Sequence, residues 1–522
     1  MGTLPSPREA RQFLSKFSPP AVPAAVTTPE TGQPSAATTT GFVDTLLWPT
    51  DHLALIKLEG PFEKENLAAV ANTLVQLQRL GLLSIVMLDN QTWWQNKGPD
   101  GSTSAVSVEG QSAEIRQKMM KDMIDMVEEI EKSGGKARPV YEGVFEGEDD
   151  ANPARTMELD QEQEVSVRQG LRPLQSCLKL RQIPVMIPMA TTRGCHRIPV
   201  QSNKALVALA KYMGESAKDT TGANGTNSGP MVPMRLIIVN TTGGIPLTRT
   251  NGIQGPTHCF VNLKDEYNTI LDDLDNMDHI PAPLAKSYRS DLDMIKESLD
   301  HLPRTCSALI TSSPSLTLIT NLITDKPLFS STMRNQDPKV MLATTVLRSG
   351  LDIFTYRDSL EGLDLKQLQI LLESSFGKPL DGAGFYERIR ARTKTVILAG
   401  HDYMGAAIVT REGGEISGAE GKRLASVAYL DKFSVAPKSQ GIGVADILWK
   451  RLQDEFPDLV WRSRSDNPVN KWYFDRADGN IRIPNTNWTV FWYGPKGLSL
   501  IRDYIEISRN IPASFYPAKP SK

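Results

Sequence analysis

The sequence predicts an α/β protein in two folded parts: a parallel sheet sandwiched by helices, then a smaller α/β domain. Three observations carry that expectation. At 522 residues the chain is longer than one hydrophobic core usually organises. From residue 51, short apolar runs of strand length alternate with segments of helical period, the pattern of a parallel sheet covered by helices. Past residue 350 the rhythm changes to closely spaced strands that lead into one long strand, a glycine turn and an amphipathic helix over 427–456.

Composition narrows the class. A hydrophobic fraction of 40% and a charged fraction of 23% describe a soluble globular protein. A formal net charge of −2 gives no general field for a polyanion, so no nucleic-acid partner is expected. No apolar run approaches the roughly 20 residues that span a bilayer, so no membrane partner is expected either. The four cysteines, Cys177, Cys195, Cys259 and Cys306, are too widely spaced for a disulfide scaffold or a metal knuckle. The six histidines never fall at a two-ligand helical spacing, and no metal site is expected.

Residues 1–45 are expected as a disordered segment rich in Pro, Ala, Thr and Ser, with Arg8 to Phe17 as the only hint of targeting. HLALIKL (52–58) reads as a strand, Leu67, Val70, Leu74, Leu77 and Leu80 as a helix face, and LLSIVML (82–88) as the next strand. Ile115, Met119, Met123, Met126, Val127 and Ile130 form a second helical stripe. Strands follow at 183–189 and 235–240, with a helix between them over Lys204 to Met213. The acidic stretch 141–164 and the Gly/Asn/Thr/Ser-rich stretch 214–230 read as loops. Thr241-Thr242-Gly243-Gly244 is either a glycine turn out of a buried strand or a ligand site at a strand's carboxyl end.

This first part, over about residues 50–340, resembles the amino-acid kinase fold, whose first strand runs into a Lys-x-Gly-Gly phosphate-binding turn. The matching residues are Lys57-Leu58-Glu59-Gly60, so a carboxylate stands where a glycine is expected. Glu59 would crowd and repel a nucleotide phosphate. The expectation is therefore a kinase-like domain over 46–350 kept for regulation and assembly, a GNAT-type domain over 351–513 and a C-terminal tail over 514–522.

In the second domain, Leu363, Leu365, Leu368, Leu371 and Leu372 mark a helix, and strands are expected at 395–400 and 405–410 before the long strand at 427. Gly441 and Gly443 allow a close turn, and a helix N-terminus behind them adds partial positive charge. That turn either packs tightly or cradles a pyrophosphate. The run Lys438-Ser439-Gln440-Gly441-Ile442-Gly443 resembles the pyrophosphate-binding turn of the GNAT acetyltransferases, Arg/Gln-x-x-Gly-x-Gly/Ala, with lysine at the first position. The resemblance implies acetyl-CoA as co-substrate, with no tightly bound cofactor, held by that run and by Phe433 and Val435 of the strand before it.

Arg462 and Arg464 alternate onto one face of a following strand, where they either pair with Asp458 and Asp466 or grip a carboxylate. Lys432, expected opposite Tyr429 and Phe433 on the long strand, favours the anion. YLDKF, WRSR and NPVNKWYF in this order resemble the acetyltransferase domain of the N-acetylglutamate synthases. The resemblance implies L-glutamate held by Lys378, Lys432, Arg462 and Arg464, with Asn467 and Tyr473 near the reacting groups; the leaving thiolate needs a proton, and Tyr473 is assigned as the acid that supplies it. It also implies feedback by L-arginine, a homo-oligomer, association with N-acetylglutamate kinase and a mitochondrial location. Two other readings are an amino-acid kinase, against which Glu59 argues, and a catalytically silent arginine-sensing subunit, against which the intact turn and cations argue.

Overall fold

In a computed structural model the described residues are 52–94, 108–147, 164–219, 231–247, 257–312 and 344–516, apart from 80, 169–170, 259, 278–279, 415, 418–421 and 441. The expected N-terminal segment 1–45, Leu80 and Gly441 therefore lie outside them. The chain divides into two compact units, the second comprising Gly350 onward together with Asn262–Glu266.

The first unit begins with β1 (His52–Glu59), α1 (Lys64–Arg79), β2 (Leu82–Asp89), α2 (Val108–Lys132) and β3 (Ala137–Val140). Then come β4 (Phe145–Gly147), β5 (Val165–Val167), α3 (Arg172–Lys179), β6 (Ile183–Met186), β7 (Met189–Thr191) and β8 (Arg197–Pro199). It continues with α4 (Ser202–Asp219), β9 (Pro233–Asn240), β10 (Phe260–Asn262), α5 (Leu263–Asp275), α6 (Ala282–His301), β11 (Ser307–Ser312) and β12 (Thr344–Arg348). An eight-stranded sheet runs β10-β12-β11-β9-β1-β2-β6-β3, with β1, β2, β3, β6, β9 and β11 pairing in parallel. Its central strands are apolar on both faces, as strands of a helix-covered parallel sheet are. Ala54, Ile56, Val86 and Leu88 share one core with Val70 and Leu74 of α1 and Met119 and Met126 of α2.

Three expectations are corrected here. The 141–164 stretch is not all loop, since Phe145–Gly147 joins a four-stranded sheet of order β5-β4-β7-β8. The apolar run 183–189 is two strands, β6 in the large sheet and β7 in the small one. The 214–230 stretch starts inside α4, because Gly214 packs so close to α6 that an added Cβ would lie 2.1 Å from the His301 carbonyl. A glycine there permits helix contact instead of ending the helix.

The second unit carries β13 (Ile353–Arg357), α7 (Leu365–Phe376), α8 (Gly382–Arg392), β14 (Thr393–Ala399), β15 (Gly405–Glu412), β16 (Ile416–Ser417) and β17 (Lys422–Arg423). It ends with β18 (Val427–Val435), α9 (Val444–Glu455), β19 (Leu459–Arg464), α10 (Asn470–Phe474), β20 (Gly479–Arg482), β21 (Trp488–Tyr493) and α11 (Ile501–Asn510). Its sheet runs β13-β14-β15-β18-β19-β21-β20. Only β18 and β19 pair in parallel, since α9 crosses over between them; the other neighbours are antiparallel. Asp364 caps α7 by accepting from the Lys366 and Gln367 amides, and Gly377 ends it in the left-handed region.

Candidate functional site

The second unit's sheet opens at its centre. β18 and β19 share a single register pair, Tyr429↔Val460, and no ladder joins them beyond it. The residues of β18 past that point keep their partners on β15, from Leu430 to Val435, so no strand covers their second edge; of its backbone groups, the Asp431 and Val435 carbonyls accept from Lys432 Nζ and Ser375 Oγ. Every sequence-predicted residue of the second unit except Lys378 lies on one of these two strands or on the turn or helix directly after it.

A β-bulge sits where the strands part. Ile408 faces Lys432 and Val409 faces Leu430, which leaves Asp431 as the extra residue. The bulge resets the alternation and corrects the expected facing of Lys432. Tyr429 packs with Tyr504 and Ile507 of α11, and Lys432 lies over the Phe385 ring of α8, its ammonium 4.9 Å from the centroid. Phe433 instead meets Trp449 of α9 and stacks on Trp472. Lys432 and Tyr429 thus share one side of the sheet and Phe433 takes the other. The side chain of Asp431 is 1% exposed and pairs with both Lys432 and Arg388. Burial works against its ionisation, but the Lys432 ammonium and the Arg388 guanidinium outweigh burial and hold the carboxyl below the usual range. Arg388 also donates to Glu412, 3.0 Å away, and Arg392 donates to the other Glu412 oxygen at 2.9 Å.

Arg462 and Arg464 do share a face, but neither pairs with Asp458 or Asp466. Asp458 binds Lys496, and Asp466 accepts from Asn487. Both guanidinium groups lie over Trp488, at 4.2 and 5.8 Å from the ring. The aromatic face offsets part of their mutual repulsion. Arg462 also donates to the backbone carbonyls of Ser508, Ile511 and Pro512. Lys378 sits on the loop after α7.

Asn467 and Tyr473 lie beyond the end of β19. The Asn467 amide donates to Ser463 Oγ at 2.9 Å, and its oxygen accepts from the Val469 amide. Tyr473 lies on α10, with its ring among Trp449, Trp461, Trp472 and Phe491 and 8% of the residue exposed. Burial pushes its phenol up, which keeps it protonated at neutral pH.

On the other side of the opening, Pro437–Ser439 form a short 3-10 turn and Gly443, at φ 85°, leads into α9 without a side-chain cap. Uncapped amides at a helix start suit an anion. Lys438, Ser439, Gln440, Ile442 and Gly443 therefore precede α9 as expected, and the Val435 carbonyl accepts from Ser375 Oγ.

The kinase-like position of the first unit is occupied differently. Lys57 Nζ is 2.6 Å from Glu59, 2.7 Å from Asp291 and 3.1 Å from Asp89. Burial, then the Asp291 charge, push the Glu59 carboxyl up to about 8. Beside the cluster, Tyr288 donates to Thr242 Oγ1 at 2.9 Å, so the 241–244 turn is held by protein groups. Among the described residues no three His, Cys, Asp or Glu side chains are grouped to hold a metal ion, and no helix is long and apolar enough to cross a membrane.

Sequence reasoning missed Trp488, the Asp431–Arg388–Glu412 network and the segment after α11. A sequence signal existed for one of them, since the Asp431-Lys432 pair interrupts a mostly apolar strand. Trp488 stands opposite Arg464 only in the β19–β21 register, which the fold sets.

Comparison with known proteins gives four concordant findings. A family model described as the N-acetyltransferase domain of N-acetylglutamate synthase matches residues 355–511. The chain is 33% identical over 509 residues to a mitochondrial amino-acid acetyltransferase of Laccaria bicolor, covering 87% of this chain and 82% of that protein. It is also 33% identical over 509 residues to the one from Coprinopsis cinerea, covering 86% and 76%. In fold it is similar to N-acetylglutamate synthase from Neisseria gonorrhoeae complexed with coenzyme A and N-acetyl-glutamate, with a TM-score of 0.52 at 12% identity, covering 88% of this chain and 99% of that one.

Proposed function

We propose the reaction implied by membership: this chain belongs to the amino-acid acetyltransferase family. It transfers the acetyl group of acetyl-CoA to the α-amine of L-glutamate. The observation that carries the reading is the opened β18–β19 sheet, with an uncapped helix start on one side and a surplus of cations on the other. Acetyl-CoA lays its pyrophosphate against the amides of residues 438–443 and its acyl arm along Phe433 and Val435. It is a co-substrate, and no tightly bound cofactor is needed. The two carboxylates of glutamate face Lys378, Lys432, Arg462 and Arg464.

The chemistry is direct transfer. Glutamate's amine, once deprotonated, attacks the thioester carbonyl, and the oxyanion is met by unpaired amides of β18. The C–S bond then breaks and the leaving thiolate takes a proton from Tyr473, which burial keeps protonated, while the proton shed by the nitrogen as the amide forms passes through water and restores Tyr473. Asn467, fixed through Ser463, positions substrate or a water. No Ser or Cys nucleophile takes part.

The kinase-like part, residues 46–350, carries regulation and the 351–513 part carries transfer. The family resemblance supports L-arginine as feedback effector, a homo-oligomer, association with N-acetylglutamate kinase and a mitochondrial location, the last in line with the names of the relatives. One assay tests the whole reading: CoA release from acetyl-CoA with glutamate, without it, and with arginine added. Release that depends on glutamate and falls with arginine is expected. Nucleotide turnover or glutamate-independent release would overturn it.

A further inference from the structure

The segment after α11, Ile511–Tyr516, lies across the cationic side of the opened sheet. Its contacts reach Arg462, Lys432 and the Lys378 loop, three of the four cations given to the amino acid. Arg462 donates to the carbonyls of Ile511 at 2.7 Å and Pro512 at 3.3 Å. The Ser514 hydroxyl accepts from Lys432 at 3.1 Å. Phe515 lies under the same ammonium at 5.8 Å and against Phe376 at 4.7 Å. Beyond these, the segment forms an antiparallel bridge, Leu380↔Phe515, with the loop that bears Lys378. The Asp381 amide donates to the Ser514 carbonyl at 2.9 Å, and the Tyr516 amide donates to the Pro379 carbonyl at 3.0 Å.

Arg462 holding the end of a helix would account for the first contact alone, since terminal helix carbonyls lack partners. It does not account for the hydroxyl on Lys432 or for the bridge to the Lys378 loop. A side chain as long as lysine, on a loop, keeps a fixed place only if its loop is tied down.

We propose that Ile511–Tyr516 is a wall of the amino-acid subsite, with Ser514 and Phe515 as positioning residues that set Lys432 and the Lys378 loop for a dicarboxylate. This rests on the glutamate reading above. Acetyl-CoA, on the other side of the opening, is outside its reach. The segment therefore acts on one substrate and spares the other.

The test uses the full chain with Phe515→Ala, Ser514→Ala and Ser514→Thr, and measures KM for glutamate, KM for acetyl-CoA, kcat and the thermal midpoint. Phe515→Ala is expected to raise the glutamate KM about tenfold and Ser514→Ala about threefold, the scale of losing a ring contact or one ordinary hydrogen bond. Ser514→Thr, which keeps the hydroxyl, restores most of the loss. Acetyl-CoA KM stays within about twofold for all three, a split that general unfolding does not produce. A parent-like glutamate KM in Phe515→Ala, or equal losses for both substrates, overturns the proposal. If the parent releases CoA with another amino acid and not with glutamate, the glutamate reading fails. The same variants, assayed with that amino acid, then decide the wall by the same split.

Discussion

Lys57 and Lys432 are both buried lysines on a strand at the middle of a sheet, and their surroundings balance charge in opposite ways. Lys57 meets Glu59, Asp89 and Asp291, three carboxylates around one ammonium. Lys432 meets Asp431, but Arg388 shares that carboxylate and Arg462 adds to the field. An incoming phosphate at the first lysine faces uncompensated negative charge. An incoming carboxylate at the second faces a surplus of cations. A buried lysine on a strand therefore says little about its ligand until the groups around it are counted.

Substitutions test that contrast, and the largest effect is expected on the structural side. Lys57→Met leaves three carboxylates without their shared cation and should lower stability by about 3–5 kcal/mol, the range for breaking a buried pair. Denaturant unfolding of the first unit checks it, and an unchanged midpoint would refute the neutralisation. Lys432→Met should be milder in unfolding, because Asp431 keeps Arg388.

Next in size, Arg462→Ala should cost about 2–5 kcal/mol in kcat/KM for glutamate. A purified variant at the parent value would end its assignment to the carboxylates. Tyr473→Phe should lower kcat about a hundredfold with little change in either KM, the usual scale for a general acid. If only KM moves, the acid role is wrong.

Glu59 gives the first unit a pH signature. Its folded pKa, about 8, lies above the ordinary 4.5. Its stabilising contribution is then complete below the unfolded pKa and is lost as pH rises toward the folded one. Glu59→Gln should flatten the fall in first-unit stability across that window, and parallel parent and variant curves would remove Glu59 as its cause. Smallest of all, Lys438→Ala should raise the acetyl-CoA KM no more than about threefold if backbone amides carry the pyrophosphate. A large rise would move that role to the side chain.

Legibility in the sequence tracked the kind of information each feature needs. The helix over 108–132 showed itself in its methionine and isoleucine spacing, and the strand over 427–435 in its alternation. The glycine turn was readable because positive φ and close approach restrict residue type so strongly. The facing of Lys432 was not, because one bulged residue reverses every side chain beyond it.

What the sequence determined by itself was the alternating strand and helix rhythm of the first part, the two-part α/β architecture and the candidate residues of the proposed transfer site, since periodicity and turn chemistry are local. What only the tertiary structure decided was which charges meet. Lys57 finds Asp291 from a distant helix, both arginines find Trp488, and Lys432 finds Ser514 from beyond the last helix. Coulomb energy depends on distance in space and on burial, and neither is written in the spacing of residues along a chain.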